Sequence, residues 1–147
     1  MDVEQFRTRA VRVAARAPAT ARIARVGLGV TIVLAGVHKL AAPEAWTAYV
    51  TDWLAPWLVV SPVDFMLING VLEVGFGGVM VAARWTAFAA GVAAVSLSAT
   101  AGYLGLVAVF EDGLFVDVLI RDVGLAALAW GVTLDALRGS GSGDSEG

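Results

Sequence analysis

The stretch Arg25–Trp46, RVGLGVTIVLAGVHKLAAPEAW, reads as the end of a helix built for a lipid environment. From Val26 to Val37 only Thr31 has a polar side chain. The run then meets His38 and Lys39, the only histidine and the only lysine in the chain, and passes through Pro43 to Trp46. A bilayer core accepts about 20 predominantly apolar residues per helix and favours aromatic rings at its edges. The same pattern recurs along all 147 residues, of which 59% are hydrophobic with a mean hydropathy of +0.79. Soluble domains lie nearer about 45–50% apolar even with glycine included. The expected fold is therefore an all-α membrane four-helix bundle.

Outward from this stretch, the spans are expected at about 22–40, 63–83, 85–110 and 114–137, within a membrane domain of residues 22–138. A basic leader, residues 1–21, carries Arg7, Arg9, Arg12 and Arg16, with Phe6, Ala10, Val13 and Ala17 at helical spacing. It reads either as a short amphipathic helix on the membrane surface or as a frayed basic tail, and lacks a convincing signal-peptide cleavage site. Residues 139–147 are glycine, serine and acidic residues that have little to bury, so a disordered tail is expected. Eight arginines flank the spans on the side of both termini and of Arg84, against Lys39 alone on the other side. The positive-inside rule then places both termini in the cytoplasm of a multi-pass plasma-membrane protein.

Between the first two spans, Pro43 and Glu44 suit the start of a helix. Trp46, Tyr49, Trp53 and Trp57 recur at helical spacing, which predicts a short interfacial helix over about 43–55 with one aromatic face. The rival expectation is a cap folded over the end of the bundle.

Ionisable and polar groups inside a span need partners or a function. Glu73 falls near mid-membrane with Asn69 one turn above it. Arg121 lies roughly 10 Å into the last span, with Asp117 four residues before and Asp122 directly after. Tyr103, with Ser96 and Thr100, lines the third span, and His38 and Lys39 close the first. Nearly all sort to the outer half, so a polar outer cup above a dry inner half is expected. The structural alternatives are an Asp117–Arg121 pair, an Arg121–Glu73 clamp and a snorkelling Lys39. Ala90, Ala94, Ser98 and Gly102 form a small-residue stripe suited to close packing, and Gly70 and Gly77 flank Glu73 on one face. Gly75-Phe76-Gly77-Gly78 has no preceding strand and lacks the last glycine of a dinucleotide fingerprint, so that reading is rejected.

Four pieces together resemble the DoxX family of small four-span membrane proteins. They are Arg25-Val26-Gly27-Leu28-Gly29; Gly36-Val37-His38-Lys39-Leu40 with Pro43 and Trp46; Gly70-Val71-Leu72-Glu73 leading to Arg84; and Arg121-Asp122-Val123-Gly124-Leu125. The resemblance spans roughly residues 22–137. It implies association with membrane redox complexes, the family being named for a subunit linked to a thiosulfate:quinone oxidoreductase, but it supplies no catalytic set.

The chain has no cysteine, which removes disulfides, thiol nucleophiles and Cys-ligated clusters, and one histidine excludes a bis-His haem within the chain. No intrinsic cofactor or metal is expected, and nothing points to nucleic acid. The first expectation is a redox-associated subunit that holds a lipophilic quinone and depends on a protein partner for electrons. In it His38 and Lys39 would bond a quinone oxygen, Glu73 would carry a proton, and Tyr103 or a tryptophan would wall the ring. The alternatives are a non-catalytic assembly subunit and, behind it, a small-solute or proton-coupled carrier.

Overall fold

A computed structural model describes residues 2–14 and 18–141, and it is helical throughout its long segments. After an N-terminal helix α1 (Val3–Ala14) come α2 (Thr20–Ala41), the short α3 (Pro43–Thr47), α4 (Pro62–Val81), α5 (Thr86–Phe110) and α6 (Val116–Gly141). There is no strand among the described residues. α2, α4 and α5 are each long and apolar enough to cross a membrane, so the protein is a helical membrane bundle. α6 is as long as these but carries Asp117, Arg121, Asp122 and Asp135. α6 also runs to Gly141, so the first residues of the expected tail are helical; the rest of that expectation, and Arg16 and Ala17 of the leader, lie outside the described residues.

Local chemistry sets the boundaries. The Ser61 hydroxyl oxygen accepts the Asp64 backbone N–H at 3.1 Å, and Pro62 occupies the first turn, where its missing N–H costs nothing. α2 stops before Pro43 because proline disfavours helical backbone at the residue ahead of it; Ala42 has φ −144° and ψ 64°. At the end of α4, Ala83 adopts φ 55°, which lets Arg84 N–H reach the Val79 carbonyl and Ala83 N–H the Met80 carbonyl. This closes the orphan carbonyls in a left-handed turn where glycine would be the easier residue. The Arg25 guanidinium donates to the carbonyls of Met80 and Val81, adding a cation at the negative end of the same helix.

The bundle is two antiparallel hairpin-like pairs, α2 on α4 and α5 on α6, joined more lightly through α4–α5 and α2–α6. The first pair meets at two backbone crossings. A Cβ on Gly29 would lie 2.9 Å from the Gly77 carbonyl oxygen, and one on Gly36 only 2.7 Å from that of Gly70. Both glycine pairs are seven residues apart, and a seven-residue step drifts only about 20° around a helix, so each pair stays on its interface.

The expected stripe on α5 holds only in part. Ala90 and Ala94 are buried, but Ser98 and Gly102 are exposed, and burial continues instead through Ala93, Ala101, Leu104 and Val107. Steps of four residues rotate by about 40° each, which carries such a stripe off the interface within two steps. Leu28, Ile32, Met80, Ala89, Ala90, Ala93, Ala94, Ala129 and Val132 make the main apolar core. That core lies toward the Arg84 end and leaves polar side chains to gather at the Lys39 end.

Candidate functional site: an ion pair under an indole

The Gly36–Gly70 crossing brings the last turn of α2 against the middle of α4. With no side chain between the backbones, a Cβ at Gly36 would stand 2.9 Å from Cβ of Glu73. Lys39, nearly one turn further along α2, bonds Glu73 Oε1 through Nζ at 2.5 Å. Their side chains are 12% and 27% exposed, so the pair is largely removed from the surface. The second carboxylate oxygen, Oε2, is buried and has no hydrogen-bond partner among the described residues.

Trp46, on α3, covers this pair. Lys39 Nζ lies 4.7 Å from the centroid of its ring, a cation–π distance. The indole N–H donates to His38 Nδ1 at 2.8 Å, and the two rings meet edge-on with centroids 5.7 Å apart. An indole nitrogen only donates, so Nδ1 accepts, which leaves Nε2 as the donor position of the ring. The four residues His38, Lys39, Trp46 and Glu73 thus form one unit drawn from three helices. Because Lys39 is the only lysine, its shielding is measurable: Trp46→Ala is expected to speed acylation of Lys39 several-fold, read as a site-specific mass adduct. An unchanged labelling rate would show that the indole does not cover the amine.

The remaining predicted residues divide among other places. Tyr103 hydroxyl donates to the Tyr49 carbonyl at 2.7 Å, accepts the Thr51 N–H at 3.2 Å, and lies 3.1 Å from the Thr51 hydroxyl. Trp53 packs on Tyr103 at 5.4 Å and donates to Glu111 at 3.2 Å. Tyr49 bridges Trp46 to Phe115, with centroids at 5.8 and 4.8 Å. Asn69 turns back to the Phe65 carbonyl of its own helix at 2.9 Å. Arg121 Nε bonds its neighbour Asp122 at 2.9 Å, in place of the expected pairing with Asp117 or Glu73. Asp122 faces the bundle and is buried, whereas Asp117 is exposed.

Two expectations change accordingly. The aromatic loop is not one helix with a single face: helix persists only over Pro43–Thr47, followed by turns and a 3-10 turn at Ala55–Trp57. Trp46, Tyr49 and Trp53 pack against side chains of the bundle as a cap, and only Trp57, 82% exposed, points away. The outer polar residues bond in three sets, around Glu73, Tyr103 and Asp122, the first two linked through Tyr49, whose ring meets Trp46 and whose carbonyl accepts from Tyr103, where one shared cup was expected. Two open clefts, of about 580 and 770 Å³, lie toward the opposite end, one lined by Phe88, Val95 and Trp130, the other by Arg22, Trp85 and Asp135. Sequence reasoning missed Thr51 and Phe115, whose roles depend on the path of the loop and carry no spacing signal.

Fold and site together define a small helical membrane protein with an ion pair between its first two apolar helices. The DoxX family model matches residues 20–109, and the chain belongs to that family. The matched segment holds Lys39, Trp46, Glu73 and Tyr103 and stops before α6. No curated protein and no solved structure matches the chain.

Proposed function

We propose that this chain is a redox-associated membrane subunit that receives the headgroup of a lipophilic quinone or quinol at the Lys39–Glu73 pair. The carrying observation is the buried Glu73 Oε2, which lacks a donor among the described residues while Oε1 is held by Lys39. A buried acceptor without a donor is costly, and a quinol hydroxyl would satisfy it. The Nε2 of His38, not engaged by Trp46, offers a donor to a second headgroup oxygen, and the aromatic rings of the cap supply flat apolar walls. Electrons would pass to a protein partner, because the chain has no cysteine for a cluster of its own. In this reading α6 is the fourth span, the termini are cytoplasmic, and the cap faces the outer side of the plasma membrane.

A second reading is a non-catalytic assembly subunit. It is favoured by the satisfaction of Tyr103, Asn69, His38 and Asp122 within the chain, which leaves those groups little need of a ligand. The double variant Lys39→Met/Glu73→Leu separates the two readings, since it keeps volume while removing both charges. Binding of a short-chain quinone to purified protein is expected to weaken about tenfold or more, the value of a hydrogen bond to a charged group. Equal quinone binding by parent and double variant, or none by the parent, would leave the assembly reading standing.

A further inference from the structure

We infer that α6 is the contact between two copies of this chain, placed side by side about a twofold axis along the membrane normal. The inference rests on α6 crossing the membrane beside α5. One side of α6 is committed to the bundle through Asp122, Ala126, Ala129 and Thr133, all buried. The other side presents Ile120, Gly124, Ala127, Gly131 and Leu134, all exposed. A Cβ built on Gly124 or Gly131 would meet nothing within 4 Å. Their spacing is that of Gly29 with Gly36 and of Gly70 with Gly77, the pairs through which α2 and α4 bring their backbones together. The third pair has the same form, and among the described residues no helix lies against it.

Charge complementarity selects a second copy as the occupant. At the Lys39 end of the face stand Asp117 and Arg121. The Asp117 carboxylate has no partner among the described residues, while the Arg121 side chain is 53% exposed and uses only Nε internally. A charge on a lipid-facing helix is unfavourable unless it is paired or reaches the interface. In a parallel twofold arrangement, like positions of the two helices meet at one height. Asp117 of one copy then sits about 6 Å above Arg121 of the other, a rise the long arginine stem can span. The symmetry makes this contact twice, with opposite charges each time. The outward glycines of α4, Gly75 and Gly78, offer open space too, but the ionisable residue nearest them, Glu73, is already paired with Lys39 of α2.

Because the native chain lacks cysteine, single cysteines report the contact cleanly. Ala127→Cys lies on the proposed face, and Val71→Cys lies at similar depth on the outward side of α4. On oxidation in native membranes, Ala127→Cys is expected to give roughly tenfold more disulfide-linked dimer than Val71→Cys, matching interhelical association of a kcal/mol or two. Adding Asp117→Lys, which replaces the carboxylate facing Arg121 of the other copy with a cation and leaves Arg121–Asp122 untouched, should bring the yield down toward the control. Asp117→Glu should retain it. Equal yields at positions 127 and 71, an Ala127→Cys product linked only to another protein, or indifference to Asp117→Lys would each overturn the inference. Thermal unfolding of each purified variant at the parental temperature establishes that the differences report contact and not misfolding.

Discussion

Gly36→Ala is expected to destabilise the bundle by about 2–3 kcal/mol, whereas Gly75→Ala, on the partner helix, should leave it unchanged or slightly firmer. The added methyl at position 36 would lie 2.7 Å from the Gly70 carbonyl oxygen and 2.9 Å from the Val74 nitrogen. Both are backbone atoms, so no side chain can swing aside and the two helices must part. Overpacking of this kind costs roughly 1–3 kcal/mol even where side chains can yield. At Gly75 nothing lies within 4 Å, and alanine is the better helix former by about 1 kcal/mol. Unfolding of the purified protein in mixed micelles reads both. Equal effects at the two positions would refute the close crossing of α2 and α4.

The second large effect concerns the ion pair. Lys39→Met alone is expected to cost about 3 kcal/mol, while Lys39→Met/Glu73→Leu should unfold near the parental midpoint. Removing one member of a buried pair leaves a charge without compensation, at about 3–5 kcal/mol, and the lower end applies because Glu73 keeps some exposure. Replacing both with apolar residues of similar size is often neutral or stabilising. Unfolding midpoints of the two single variants and the double measure the coupling. Additive losses would show that the contact between Lys39 and Glu73 carries no stability. The result also bears on function: a double variant that folds normally is the one in which loss of quinone binding is informative.

These two effects differ in how much of their basis was legible beforehand. The heptad spacing of Gly70 and Gly77 around Glu73 is visible in the chain, as is the matching spacing of Gly29 and Gly36 in the first span. Their partnership is not visible, because any span could have packed there. Lys39 and Glu73 were each candidates by depth, yet Arg121 was an equally good partner for Glu73 on depth alone. The loop was the least legible part: periodic aromatics suggested a helix to residue 55, while helix ends at Thr47. Aromatic spacing there reflects packing onto Tyr103 and Phe115 across the bundle, contacts with no local signature.

The sequence by itself determined the membrane class and the bounds of the long helices, to within two residues at most of their ends. Those properties are local, set by the match between an apolar run and the bilayer and by proline and serine at helix ends. Only the tertiary structure decided which groups at a given depth meet. That choice depends on how each helix is rotated about its axis. Here the Gly29–Gly77 and Gly36–Gly70 crossings set that rotation and turn Lys39 onto Glu73.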